Sequence, residues 1–296
     1  MDTASTVLVV GATGKLGGQV VDHLLEAGHS VRALARPTSK TAELEAKDVE
    51  IVRGDMLDLD SLVAAMTGVD AVITTAAGYT RGAKDDTDTQ GNTNLAEAAK
   101  RTGIKRFVLT SILTSDQTPQ VGHFWDKKLA EDALEQRGVP FVALRPGAFL
   151  DQTIGAAGNP LDKHRFIWVG KPNAPLTFVL ASDLARYLAQ AVDADVRAGE
   201  RIDIGWQQPT TPREVAAAFS RISGEKIRLI SVPTAVMSFA GKLLASKNPL
   251  IGEMAAMFAW FDTGSYIADT TRQAEVFGTP PTQDEALTRL THQFRR

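Results

Sequence analysis

The sequence predicts an α/β fold: a doubly wound parallel sheet, followed by a smaller, mostly helical C-terminal lobe. Three observations predict it. Short β-branched runs alternate with helical patterns through the first half of the chain. Those runs are apolar throughout rather than at every second residue, as strands covered on both faces must be. A glycine triplet, Gly11, Gly14 and Gly17 in "VVGATGKLGG", sits at the first strand-to-helix turn.

The elements follow in order. "TVLVVGA" is the first strand and "LGGQVVDHLLEAG" the first helix, with Val20, Val21, Leu24 and Leu25 on one face and Gly28 as its stop. "SVRALAR" and "VEIVRGDM" are strands, "SLVAAMTG" a helix, "DAVITTAA" a strand, "NTNLAEAAKRTG" a helix and "RFVLTSIL" a strand. "DKKLAEDALEQRG" is helical and "PFVALRPGAF" the sixth strand. Beyond Phe149 the alternation weakens. Residues 155–175 are rich in Gly, Pro and Asn and read as loop with one short strand; "SDLARYLAQAV" is a helix with Ser182 as N-cap, and "GERIDIG" a further strand. Thr211 with Glu214, and Thr282 with Glu285, carry the capping-box spacing, and Pro212 suits a first turn. "PLIGEMAAMFAWFDTG" is so apolar that it should bury most of its circumference. The expected domains are residues 1–150 as the dinucleotide-binding sheet, with 177–205 returning to it, and 151–176 plus 206–296 as the lobe that binds substrate.

Composition narrows the function. The chain has 296 residues, 44% hydrophobic and 23% charged, as soluble globular proteins do. A formal charge of -3 and the lack of a dense Lys/Arg tract argue against nucleic acid. With no cysteine there is no disulfide, thiolate catalyst or Cys-based zinc site. The five histidines lack metal-ligand spacing, and no metal is expected. The start of the chain reads as neither signal peptide nor targeting helix, and no run is long enough to span a membrane. A cytoplasmic location is expected. No Gly-x-Ser-x-Gly elbow points to a hydrolase.

The glycine loop carries the chemistry. Gly11 permits the tight turn, Gly14 lets a pyrophosphate approach the backbone, and Gly17 lets the helix pack on the strand. Thr13, Lys15 and Leu16 complete the loop, and the helix mouth offers unpaired N–H groups to the phosphates. Its place between the first strand and first helix makes a dinucleotide the expected ligand. At the end of strand two an acid would select NAD(H). Here "ALARPTSK" offers Arg36, then Ser39 and Lys40, so NADP(H) is expected over NAD(H). Asp55, followed by Met56, stands where the adenine would lie; Asp55 could equally cap the following turn.

"GATGKLGG", "RGDMLD", "TTAAG", "KKLAEDALEQRGVPFVALRPGAF" and "SDLARYLAQAV" together resemble the atypical short-chain dehydrogenase/reductases, in the NmrA-like branch that includes NADPH-dependent quinone reductases. The likeness runs over about residues 7–235. It implies a Rossmann domain, NADP(H), and cofactor contacts from Ala76, Ala77 and Gly78 and from Pro146, Gly147 and Phe149. It also implies a serine at Ser111, and matches the branch's Lys-x-x-x-Glu at Lys127 and Glu131, which makes Lys127 a ligand of the nicotinamide ribose. A salt bridge from Lys127 to Glu131 or Asp126 is the plain alternative. His123 then stands where the wider family has a tyrosine. Three readings follow: His123 donates the proton, its unperturbed pKa lying near neutrality; the acceptor needs no enzymic acid; or the protein senses NADP(H) without catalysis. Phe124, Trp125 and Trp168 are candidate walls for a flat conjugated substrate, whereas Phe258 and Phe261 read as core.

Overall fold

The computed structural model describes residues 4–78, 87–237 and 249–295; the start of the chain, residues 1–3, lies outside them. Its strands are β1 (Thr6–Val10), β2 (Ser30–Ala35), β3 (Glu50–Arg53), β4 (Ala71–Thr74), β5 (Arg106–Thr110), β6 (Phe141–Pro146), β7 (Ala148–Phe149), β8 (Arg165–Val169), β9 (Phe178–Val179), β10 (Glu200–Ile204) and β11 (Arg228–Val232). The helices are α1 (Lys15–Glu26), α2 (Ala42–Glu45), α3 (Leu59–Met66), α4 (Asn92–Thr102), α5 (Gly122–Gln136), α6 (Leu150–Ala157), α7 (Pro160–Lys163), α8 (Ala181–Gln190), α9 (Pro212–Ser223), α10 (Pro249–Phe261), α11 (Thr271–Phe277) and α12 (Gln283–Phe294).

Seven strands form one sheet in the order β10-β6-β5-β4-β1-β2-β3. The pairings β3–β2, β2–β1, β1–β4, β4–β5 and β5–β6 are all parallel, so the fold is the doubly wound α/β sheet that the alternating pattern predicts. The chain reverses direction across the sheet between β1 and β4, the place where ligands of such sheets bind, beyond the strands' carboxyl ends. Successive residues of a strand face opposite sides. Val7, Leu8, Val9 and Val10 are all buried, so both faces of β1 are covered. One face packs Leu8, Val10, Val72 and Leu109 with Leu62 and Met66 of α3, Leu95 of α4 and Leu134 of α5.

The chain divides into two compact units, residues 1–116, 123–145 and 182–202 in one and 117–122, 146–181 and 203–296 in the other. In the second, β8 pairs with β11 in parallel. Trp168 of β8 packs edge-on to Phe178 and Phe258 at 5.8 and 5.9 Å between ring centroids, and stacks on Phe261 at 6.4 Å.

Four local readings change. Within residues 155–175, read as loop with one short strand, lie the end of α6 and the whole of α7; Asn159 caps α7 by accepting from Leu161 N at 3.0 Å, with Pro160 next. The helix expected from residue 126 begins at Gly122, which puts His123 and Phe124 on α5. Helix α8 starts at Ala181, whose N–H is taken by Asp151 Oδ1 at 3.3 Å, so Ser182 lies inside the helix and is not its cap. Among the described side chains of α10, only Ala255, Phe258 and Phe261 are buried, spaced by three on one face, while Leu250, Ile251, Met254, Met257 and Trp260 are half-exposed. Both capping boxes form as read. Among the described residues, no helix is long and apolar enough to cross a membrane.

Candidate functional site

In the first unit, the loop after β1 meets the loop after β4 where the sheet order reverses. Thr75 N donates to Val10 O at 2.9 Å. Gly11 has φ +89°, and a Cβ there would lie 2.7 Å from Thr75 Oγ1 and 3.0 Å from Ala76 N. A Cβ on Gly17 would lie 2.2 Å from Gly11 O, so this glycine lets α1 seat on β1. Gly14 is different. It is the exposed, extended N-cap of α1, without a side-chain cap, and its nearest neighbour is Gly11 O at 3.2 Å. Gly14 N closes the loop onto Gly11 O at 2.9 Å. Among the described residues, the N–H groups of Thr13, Lys15, Leu16 and Gly17 find no acceptor. Thr13 and Lys15 are exposed and Leu16 half-buried. Free donors at a helix mouth, beside a glycine that leaves the backbone bare, fit a diphosphate.

Arg36 follows β2 and is exposed, and its guanidinium has no partner among the described residues. Asp55 Oδ1 accepts from Leu57 N at 3.0 Å, the turn-capping alternative that its position allowed. Met56 is buried, and its carbonyl takes a 2.9 Å bond from Asn94 Nδ2 of α4, which fixes the loop after β3 from behind.

Lys127 of α5 is 8% exposed; its Nζ donates to Ala76 O at 3.1 Å and lies 3.5 Å from Asp88 Oδ1. Neither Glu131 nor Asp126 is its recorded partner, so the plain alternative is corrected: the counter-charge is Asp88. Asp88 is buried in a π-helical turn (Thr87–Gly91) ahead of α4 and accepts Gly78 N at 2.8 Å. It therefore ties Lys127 to the segment 76–78. Two partners leave a third ammonium hydrogen for a ligand. No local pattern in the sequence marks Asp88; its bonds reach 10 and 39 residues along the chain and only the fold makes them.

Glu131, one turn beyond Lys127, is 1% exposed and serves another centre. Arg145 donates to both its oxygens, at 2.9 and 2.7 Å, and Arg201 adds a 2.8 Å bond. Ser111 Oγ lies 2.6 Å from the same carboxylate. A carboxylate already accepting from two guanidiniums has no proton to give, so Ser111 donates to it and can meet a ligand only as an acceptor. Burial pushes the Arg145 pKa down, but its bonds and charge interactions with Glu131, then Asp116, outweigh this and raise it overall.

His123 is 4% exposed on the first turn of α5, its ring edge-on to Phe124 at 4.8 Å. Phe124 is fully buried, and Trp168 is 2% exposed in the aromatic core of the second unit. Both are core side chains, which corrects the expectation that they wall a substrate site. Trp125 is half-buried, with Lys128 Nζ 5.4 Å from its ring centroid. In the second unit, Gly147 is required by packing. Its Cβ would lie 2.4 Å from Thr177 O, and its N–H donates to Ile204 O at 2.9 Å. Pro146 O accepts from Tyr266 Oη at 3.2 Å. Phe149 is half-buried ahead of α6, and its carbonyl accepts from Thr153 Oγ1 at 2.9 Å.

Comparison with known proteins gives the family and the fold. The NmrA-like family matches residues 3–282. Photosystem II assembly factor Ycf39 of Synechocystis sp. is 31% identical over 276 residues, 86% of this chain and 85% of that protein. An NAD(P)H azoreductase of Xenophilus azovorans is 29% identical over 228 residues, 76% of this chain and 77% of the relative. Among solved structures, an NADPH-dependent quinone oxidoreductase from Escherichia coli complexed with NADPH shares the fold. Its TM-score is 0.80 at 21% identity, over 96% of this chain and 99% of that one. The family match over nearly the whole length, together with the relative at 31% identity, establishes that the chain belongs to the NmrA-like family.

Proposed function

We propose that this protein is an NADP(H)-dependent reductase acting on a conjugated carbonyl or quinone-type small molecule. The observation that carries the reading is the glycine loop, with its unpaired N–H groups at the mouth of α1 where the sheet order reverses. The relative named as an NAD(P)H azoreductase supports it. In this reading Thr13, Gly14, Lys15 and Leu16 hold the diphosphate, and Arg36 meets the ribose 2′-phosphate. Met56 flanks the adenine, and Ala76, Ala77 and Gly78 border the cofactor. Lys127, braced by Asp88, donates to the nicotinamide ribose, while Pro146, Gly147 and Phe149 flank the ring. NADPH, when bound, supplies the hydride. Ser111 offers a lone pair and no proton, which leaves His123 as the proton source for a ketone, whereas a quinone oxygen takes its proton from water. Trp125 is the aromatic candidate for substrate contact.

The test mixes the purified protein with NADPH and a panel of quinones, enones and ketones and follows the absorbance of the reduced cofactor. Turnover of a conjugated acceptor is expected. His123→Phe should slow a ketone and spare a quinone, and an unaltered ketone rate would remove the histidine from the chemistry.

The likeness to an assembly factor favours a second reading, a non-catalytic protein that binds NADP(H) and reports its level. Tight cofactor binding with no turnover across the panel would select it.

A further inference from the structure

The turn that carries Arg36 is held by the first residue of "RGDMLD", to which the sequence alone assigned no role. Arg53, the last residue of β3, donates through Nη1 to Arg36 O and Ser39 O, both at 3.1 Å, and through Nη2 to Thr41 Oγ1 at 2.8 Å. Ser39 N closes the same turn onto Arg36 O at 2.9 Å, and the Thr41 hydroxyl passes on to Glu45 at 2.7 Å. One guanidinium therefore shapes residues 36–41.

All three acceptors of Arg53 are uncharged, so the bonds fix the turn without cancelling the charge. Among the described residues no carboxylate pairs with Arg36, Lys40 or Arg53. The neighbouring acids are spent elsewhere: Glu45 on Thr41, Glu50 on Arg32, and Asp55 on Leu57 N. A turn with two cations, a hydroxyl and a third cation beneath it suits a dianion and gives nothing extra to a ribose hydroxyl.

We infer that Arg53 is a specificity-determining positioning residue: by bracing the 36–41 turn under Arg36, Ser39 and Lys40, it sets the preference for a ribose 2′-phosphate over a 2′-hydroxyl. This rests on the NADP(H) reading above and adds a residue to it. Lysine cannot replace it fully, because three acceptors in two directions need the forked guanidinium.

The experiment titrates the full chain and its Arg53→Gln and Arg53→Lys variants by calorimetry with adenosine 2′,5′-bisphosphate, adenosine 5′-phosphate, NADPH and NADH. The wild type should prefer the bisphosphate and NADPH. Arg53→Gln should weaken both by about tenfold or more, leave the monophosphate and NADH within about twofold, and Arg53→Lys should recover only part of the loss. The unchanged monophosphate affinity also reports an intact fold. If Arg53→Gln weakens all four ligands equally, or none, the inference is overturned while the cofactor reading stands. Should Arg53→Gln fail to fold, Thr41→Val removes one acceptor and must lower the same ratio, and an unchanged ratio overturns the inference. If the wild type binds neither dinucleotide, the cofactor reading itself falls.

Discussion

Gly14 and Gly17 belong to one loop, yet a methyl group has different consequences at each. At Gly17 it would lie 2.2 Å from Gly11 O and 2.7 Å from Gly11 C, both backbone atoms. Gly17→Ala should therefore lower stability by about 2–4 kcal/mol in urea denaturation, because α1 must move off β1. At Gly14 the backbone is extended, φ -87°, and the one near atom is Gly11 O at 3.2 Å. Gly14→Ala should change stability by less than about 1 kcal/mol and still weaken NADPH, since the new methyl occupies the bared backbone. Wild-type NADPH affinity in that variant would mean that the diphosphate lies elsewhere. Glu131 makes a contrasting case. Glu131→Gln leaves the buried Arg145 facing an amide, without the carboxylate that chiefly offsets the pull of burial, and Arg145 stays charged because a guanidinium does not lose its proton in a protein. Breaking such a pair should cost about 3–5 kcal/mol, seen as a lower urea midpoint that raising the pH from 6 to 9 does not restore.

Elements were legible in the sequence wherever their determinants are local. The boxes Thr211/Glu214 and Thr282/Glu285 each close within three residues, and both hold as read. Backbone and side-chain bonds from Thr211 and Thr282 hold the Glu214 and Glu285 carboxyls below the usual carboxylate range. A carboxyl depressed in the folded state adds stability fully above its unfolded pKa, about 4.3, and loses it as pH falls through the lower folded value. The Glu214→Gln, Glu285→Gln double variant should be less stable than wild type at pH 7. The gap should close by about pH 3, and a constant gap in thermal melts would show that the carboxylates add nothing as charges. Thr211→Ala should cost about 1 kcal/mol. The start of α8 was not legible for the converse reason: its first N–H is taken by Asp151, 30 residues earlier, so Ser182 is a cap by pattern alone. The same holds at the candidate site. The glycines declare themselves by spacing, whereas Asp88, the Glu131 centre and Arg53 act through partners 10 to 70 residues away. The apolar run of α10 signalled a helix but not how much of its surface would be covered.

For the molecule as a whole, charge sets a further condition. The chain is net negative, -3, and NADPH is a polyanion, so long-range electrostatics oppose their meeting and local cations must reverse this. Lys15 at the mouth of α1 and Arg36, Lys40 and Arg53 around the turn after β2 are the described side chains placed to do so, and none of them is recorded in an ion pair. NADPH carries the extra dianionic 2′-phosphate, and that group would face three of the four. Screening should act mainly there, since the Debye length falls from about 10 Å at 0.1 M salt to about 3 Å at 1 M. Raising sodium chloride from 0.05 to 0.5 M should weaken NADPH more than NADH and narrow the ratio of their dissociation constants. Linkage gives the same test a second readout. A ligand at about 100 times its dissociation constant adds about 2.7 kcal/mol to the state that binds it, enough to raise the melting of the seven-stranded sheet by a few degrees. The shift with NADPH should shrink with salt at fixed ligand concentration more than that with NADH, which lacks the 2′-phosphate but shares the diphosphate. Equal salt dependence for the two cofactors would mean that these cations do not read the 2′-phosphate, and the preference would then have to arise from some other part of the chain.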